Sequence, residues 1–214
     1  MREYNLSTLD YILNKYQLPY SENSPPLIEI PNMGRDQLPE LFNELGFKTG
    51  AEVGVLAGTY SELLCKNIPG LKMYGVDPYK AYIQHPEQSE LDAFYREAKQ
   101  RLAPYDYHFI TKTSLEAAKS IKENSLDFVY VDGAHDFDNV TTDLTVWMPK
   151  VRLGGIISGH DFMRRPAPTH HYVVQAVTAF IRANNIRPWF LIGLNAKIPG
   201  VIRDTRRSWM WVKQ

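Results

Sequence analysis

The chain has 214 residues, enough for one domain with a sizeable core, and its 44% hydrophobic and 22% charged content is that of an ordinary soluble globular protein. Lys plus Arg equals Asp plus Glu, 24 against 24, which argues against a nucleic-acid partner, since phosphate binding calls for a basic surplus. A single cysteine, Cys65, excludes an intrachain disulfide framework; with no signal-peptide core and no membrane-length apolar run, a cytoplasmic protein without a membrane partner is expected.

Residues 1–34 read as an appendage to a domain spanning 35–214. Ser7 to Tyr16 has the spacing of a short amphipathic helix, Ser24-Pro25-Pro26 breaks it, and Pro31-Asn-Met-Gly34 makes a turn. Over 35–46, Leu38, Leu41, Phe42 and Leu45 share one helical face. A strand from Ala51 runs into a turn with Gly54 and Gly58, and a helix begins near Thr59. Such glycines let backbone approach a ligand, and the helix N-terminus offers free N–H groups. The spacing, Gly-x-x-x-Gly behind Glu52, is not the Gly-x-Gly-x-x-Gly of dinucleotide binders.

Lys72 to Val76 is a second strand ending at Asp77-Pro78. An acid at such a tip, about 20 residues past the glycines, can accept both hydroxyls of a ribose. A loop covers 79–88. Ser89 to Leu102 is a helix with Ser89 and Asp92 spaced as a capping box, Tyr107 to Ile110 is a third strand, and Thr113 with Glu116 caps the next helix. Thr113 is therefore structural, while Ser114 suits either a structural or a functional part.

The stretch 126–161 organises the rest. Phe128-Val-Tyr-Val131 is a buried strand that stops at Asp132. Val140, Leu144, Trp147, Met148 and Val151 lie on one helical face, Gly154-Gly155 is read as the helix stop, and Ile156-Ile157-Ser158 is a strand leading to His160-Asp161. Strand, helix, strand is a βαβ unit with parallel strands. Asp132 and Asp161 then stand at the carboxyl ends of two strands, the edge where open α/β sheets bind ligands. Residues 162–171, with Arg164, Arg165, His170 and His171, form a basic loop after Asp161. Tyr172 to Asn184 is a helix; Trp189–Ile192 and Trp209–Val212 are two final strands expected to pair antiparallel; Trp147, Trp209 and Trp211 are expected in a core or interface.

With Glu52-x-Gly54-x-x-x-Gly58, Asp77 and Val131-Asp132-Gly-x-His135 in this order, the chain resembles class I methyltransferases that use S-adenosylmethionine (SAM). The pattern Asp132-Gly-Ala-His-Asp-Phe, Asp143-Leu-x-x-Trp147, Gly154-Gly155 and His160-Asp161 resembles a narrower group, the metal-dependent O-methyltransferases acting on sugar hydroxyls of macrolides and other glycosides. The resemblance covers roughly residues 36–213. It implies a Rossmann-like α/β fold: a seven-stranded, mostly parallel sheet with helices on both faces and an antiparallel last strand. It also implies a cofactor site of Glu52, Gly54, Gly58, Ser61, Asp77, Ser114 and Asp132, with Asp77 on the ribose and Ser114 near the adenine. Asp132 and Asp161, with His160 beside them, would hold a divalent cation, Mg²⁺ in the first instance, and His135 would be the catalytic base. The catechol enzymes carry Asp-Asn after the fifth strand and the macrolide-sugar enzymes two acids; here His160-Asp161-Phe162 stands instead, and imidazole is a softer ligand than carboxylate.

The chemistry needs an oxygen nucleophile aligned behind a sulfonium methyl group, a cation to position the hydroxyl and a base to take its proton. Three functions compete: a metal-dependent O-methyltransferase on a small hydroxylated molecule, an NAD-linked dehydrogenase, and a SAM-binding module without turnover. The glycine spacing and the closing strand pair disfavour the dehydrogenase. The substrate would be set by the N-terminal segment and the loops at 79–88, 162–171 and 194–207; a homo-oligomer is compatible with all of this.

Overall fold

The computed structural model describes residues 7–82, 87–163 and 171–214. Helix α1 (Thr8–Lys15) and strand β1 (Leu27–Ile30) come first, then one 3-10 turn at Arg35–Gln37 and α2 (Leu38–Glu44). The β/α alternation follows: β2 (Thr49–Val53), α3 (Thr59–Asn67), β3 (Lys72–Val76), α4 (Gln88–Leu102), β4 (Tyr107–Ile110), α5 (Ser114–Ala118), β5 (Leu126–Val131), α6 (Phe137–Trp147) and β6 (Val151–Gly159). Helix α7 (Val173–Ala183), β7 (Trp189–Ile192) and β8 (Ser208–Val212) close the chain.

Eight strands make one sheet in the order β1-β7-β8-β6-β5-β2-β3-β4. β8 runs antiparallel to both its neighbours, β6 and β7, and the other pairs are parallel. Side chains alternate across the sheet as strand geometry requires. In β5, Phe128 and Tyr130 pack with Phe42, Leu64 and Met73 on one face, while Val129 and Val131 pack with Trp147, Val177 and Trp209 on the other. Both faces are covered, so the strands read as nearly continuous apolar runs.

The sheet has one strand more than the seven expected. Leu27-Ile-Glu-Ile30 adds β1 at the edge, in register with Trp189 to Ile192 of β7. Four residues between prolines carry little periodic signal, and only the distant partner makes them a strand. The segment before the main alternation is also packed: Ile12 is fully buried, and the Thr8 hydroxyl donates to the Gly154 carbonyl at 2.7 Å.

Gly154-Gly155 does not stop α6. The helix ends at Trp147, a 3-10 turn takes Met148–Lys150, and both glycines lie inside β6, as does Val151. A Cβ at Gly155 would stand 2.5 Å from the Asp127 carbonyl oxygen, where the β5–β6 register shifts. The glycine serves close strand approach. Helix α4 begins at Gln88 rather than Ser89 and has no side-chain cap; the Gln88 amide donates instead to the Tyr79 carbonyl and to Asp92.

Candidate active site

The carboxyl ends of β2, β3, β5 and β6 open into one cavity of about 740 Å³, within the range of small-molecule sites. Its walls include Glu52, Gly54, Asp77, Ser114, Asp132, His135, His160 and Asp161 from the sequence prediction. Gly58 and Ser61 are not among them. Gly58, in the left-handed region at φ 75°, caps α3 and faces Ala98 and Leu102. Ser61 is fully buried behind Glu52, to which its hydroxyl donates, and its Oγ lies 2.7 Å from the Tyr107 hydroxyl.

Gly54 is needed for a close approach. At φ 92°, a Cβ there would fall 2.1 Å from the Asp132 carbonyl oxygen. Only glycine lets the turn after β2 lie against the end of β5, which brings Glu52 and Asp132 into the same cavity.

At the Glu52–Asp77 end, Asp77 Oδ2 accepts the backbone N–H groups of Val55 and Leu56 at 3.1 and 3.0 Å, and Oδ1 accepts that of Tyr79 at 2.9 Å. The acid fixes both loops around it: Oδ2 is filled by two donors, and Oδ1 retains about one acceptor position for a ligand. Burial pushes the Glu52 carboxyl up to about 8, against the Ser61 hydrogen bond and the Arg35 charge, so Glu52 is mostly protonated at pH 7. Ser114 Oγ accepts from Trp147 Nε1 at 2.8 Å, tying the cavity wall to a fully buried ring. Thr113 forms the expected capping box with Glu116. Asp143, a cavity residue given no role by the sequence, is raised by burial to about 7, with a Ser114 hydrogen bond opposing the rise.

At the other end Asp132 follows β5 and Asp161 follows β6. Asp161 sits in the left-handed region at φ 57°, a conformation aspartate tolerates better than most residues. Asp132, His160 and Asp161 offer one ligand atom each within 4.8 Å of one another, and so do His135, Asp161 and His171. His160 Nδ1 is 3.8 Å from Asp132 Oδ1 and 3.8 Å from Asp161 Oδ2. His135 Nε2 is 2.9 Å from Asp161 Oδ2 and 3.9 Å from Asp132 Oδ1. The shorter contact is within ion-pair range but not aligned as a hydrogen bond: His135 Nε2 and Asp161 Oδ1 are both buried without an aligned partner.

Burial alone would lower the His135 pKa; the Asp132 and Asp161 carboxylates outweigh it and hold the ring up at about 9. These two acids act on the ring, rather than the Asp136 and Asp138 of its own loop. Burial raises Asp161, but His135 and His160 prevail and hold it down at about 2. His160 is lowered, first by burial and also by Arg35. His160 is fixed from behind as well: its carbonyl accepts from Trp209 Nε1 at 3.1 Å, and Trp209 stacks on Trp211 within the core.

Arg35 was not foreseen. Its Nη2 pairs with Asp132 Oδ2 at 2.8 Å, its Nη1 lies 3.4 Å from His160 Nδ1, and its guanidinium sits over the Tyr60 ring at 4.1 Å. Arg206, from the 194–207 loop, reaches within 4.0 Å of Asp161. His171 stacks on His135 at 5.0 Å. Arg164, Arg165 and His170 lie outside the described residues, as does part of the 79–88 loop. Among the described residues no helix is long and apolar enough to cross a membrane.

The family model of a methyltransferase domain matches residues 51–162, more than half of the chain. The chain belongs to this methyltransferase-domain family, and its fold is that of class I SAM-dependent O-methyltransferases. An O-methyltransferase from Bacillus cereus, solved with S-adenosylhomocysteine, superposes with a TM-score of 0.57 at 18% identity, over 96% of this chain and 90% of that one. The O-methyltransferase TomG of Streptomyces achromogenes, involved in tomaymycin synthesis and solved with SAM, superposes at 0.58 and 15% identity over 100% of both chains. An uncharacterized protein of Sinorhizobium fredii, y4gI, is 35% identical over 52 residues, 24% of this chain and 6% of its own length.

Proposed function

We propose that the protein is a SAM-dependent O-methyltransferase that uses a divalent cation to methylate a hydroxyl of a small molecule such as a sugar or glycoside. One observation carries this reading: a single cavity joins Glu52 and Asp77, on two strand tips, to the cluster of Asp132, His135, His160 and Asp161 on the next two. Bound SAM supplies the methyl group and the divalent cation supplies charge that acidifies and positions the acceptor hydroxyl.

Asp77 would take a ribose hydroxyl with the one acceptor position on Oδ1 that its loops leave free. Glu52, mostly protonated, can donate as well as accept. Asp132 Oδ1, His160 Nδ1 and Asp161 Oδ2 are suited to hold the cation, and the buried Asp161 Oδ1, which accepts no hydrogen bond and has Arg206 Nε only at 4.0 Å, supports a cationic ligand there. Two carboxylates with one imidazole suit Mn²⁺ better than Mg²⁺. His135 Nε2 would take the hydroxyl proton. While Asp132 and Asp161 face the ring it stays charged; once those carboxylates are engaged elsewhere, the ring loses the groups that keep its proton and becomes a base.

The test is release of S-adenosylhomocysteine from SAM with a panel of glycosides, sugars and catechols, with and without chelator. Turnover that chelator abolishes, and that Mn²⁺ restores more fully than Mg²⁺, is expected. Full activity in excess chelator would remove the cation from the reading, and tight NAD binding without response to SAM would remove methyl transfer.

A further inference from the structure

We propose that Arg35 is the resident counter-cation of the acidic cluster, and that a divalent ion gains His160 as a ligand only by displacing its guanidinium. This rests on the cation reading above and adds to it a residue from outside the strand tips. The guanidinium reaches two of the three candidate ligands at once, Nη2 at Asp132 Oδ2 and Nη1 toward His160 Nδ1.

The two ligands differ in what they can share. A guanidinium only donates hydrogen bonds, so the His160 nitrogen facing it is the one with the lone pair, and the ring proton is on Nε2. An imidazole nitrogen has one lone pair, so Arg35 and a metal ion exclude one another at His160. A carboxylate has about four acceptor positions. Asp132 can therefore keep Arg35 on Oδ2 while giving Oδ1 to an ion. The contest is local to His160.

The surroundings suit a head group that moves while its base stays. The Tyr60 hydroxyl donates to the Arg35 carbonyl at 3.3 Å, and the Gly34 N–H donates to Gln37 Oε1 at 2.9 Å, so the backbone of the turn is pinned. Tyr60 and Tyr130 offer ring faces at 4.1 and 5.2 Å on which the guanidinium keeps a favourable contact after leaving His160. Arg35 Nε is buried without a hydrogen-bond partner, so moving the head breaks no bond there. Until an ion arrives, Arg35 offsets one of the two carboxylate charges that would draw it in, and the site binds cations more weakly than its ligands alone would.

The experiment is a Mn²⁺ titration of the full chain, read by the electron paramagnetic resonance of free Mn²⁺, without SAM or acceptor. Arg35→Gln removes the charge and keeps a polar side chain; Arg35→Lys keeps the charge. The Gln variant should bind Mn²⁺ about tenfold or more tightly than wild type, with the Lys variant near wild type. Wild-type affinity or weaker in the Gln variant overturns the displacement, leaving the cation reading intact; no Mn²⁺ binding by either protein overturns both. Equal SAM binding by calorimetry shows that the variants are folded. Should Arg35→Gln not fold, the wild-type protein decides: its Arg35 Nε–H resonance should shift on saturation with Mg²⁺, and an unmoved resonance overturns the proposal.

Discussion

At the Glu52–Asp77 end of the cavity the acids already have partners in the chain: Asp77 holds three backbone N–H groups and Glu52 holds the Ser61 hydroxyl. At the opposite end Asp161 Oδ1 and His135 Nε2 are buried without aligned partners, and five titratable groups, Asp132, His135, His160, Asp161 and His171, crowd together. Buried polar groups are ordinarily satisfied, so such exceptions mark where something is received. On the proposed function, the first end is finished before its ligand comes, and the second would be completed by the cation it binds. SAM should accordingly bind without the cation, whereas turnover should need both.

The largest expected effect is at the unfinished end. His135→Gln should cut turnover by roughly 10²–10⁴-fold, the range for a positioned base, while SAM and metal binding persist. Near-normal turnover with the same loss of rate toward acid pH would transfer the role to another group, with His160 the next candidate. Asp77→Ala tests the finished end: SAM affinity should fall by about 1–3 kcal/mol, roughly fivefold to 150-fold, read by calorimetry. Thermal stability should fall with it, because three loop N–H groups lose their acceptor. Unchanged SAM binding would mean that the acid serves the loops alone.

Acidity separates the two ends in another way. His135 is raised to about 9, so its stabilising contribution is complete below its ordinary value near 6.5 and is lost as pH climbs through 9. Asp161, depressed to about 2, contributes above the usual carboxylate value of 3.8 and loses it as pH drops through 2. Glu52 and Asp143, raised by burial to about 8 and 7, also erode stability as pH rises from their ordinary values of 4.5 and 3.8 toward those figures. Without ligands, the melting temperature should therefore be highest near about pH 4 and fall by roughly several degrees or more toward pH 9. Saturating divalent cation should flatten the alkaline part of that fall; a profile that rises through this range would contradict the burial of these groups. Smallest is Trp209→Phe, which leaves the buried His160 carbonyl without its donor and should cost about 1 kcal/mol in denaturant unfolding, with SAM binding untouched.

Much of this was legible in the chain. Strand tips announce themselves where an apolar run stops at an acid, and Asp77, Asp132 and Asp161 all line the cavity. Asp143 was visible but mute, since an acid on an amphipathic helix reads as its solvent face. Arg35 had no local signal at all: its partner Asp132 is 97 positions downstream. β1 was hidden for the same reason, as were the glycines of β6, where a helix stop and a close strand approach call for the same residue.

The edge strand also bears on the order in which the molecule assembles. Leu27 waits for Trp189, so most of the chain must be made and folded before β1 can dock. Long-range pairing carries a loop-closure cost that local β/α units do not, and it forms late. Arg35 lies just beyond that strand, and Pro31 is tied to the β7–β8 connection through the N–H of Ile202. A refolding chain should thus pass through a stage with the Glu52–Asp77 end formed and Asp132 not yet paired to its arginine. Pulsed hydrogen exchange would read this as protection at 49–53 preceding protection at 27–30; simultaneous protection would mean that the edge strand belongs to the folding nucleus.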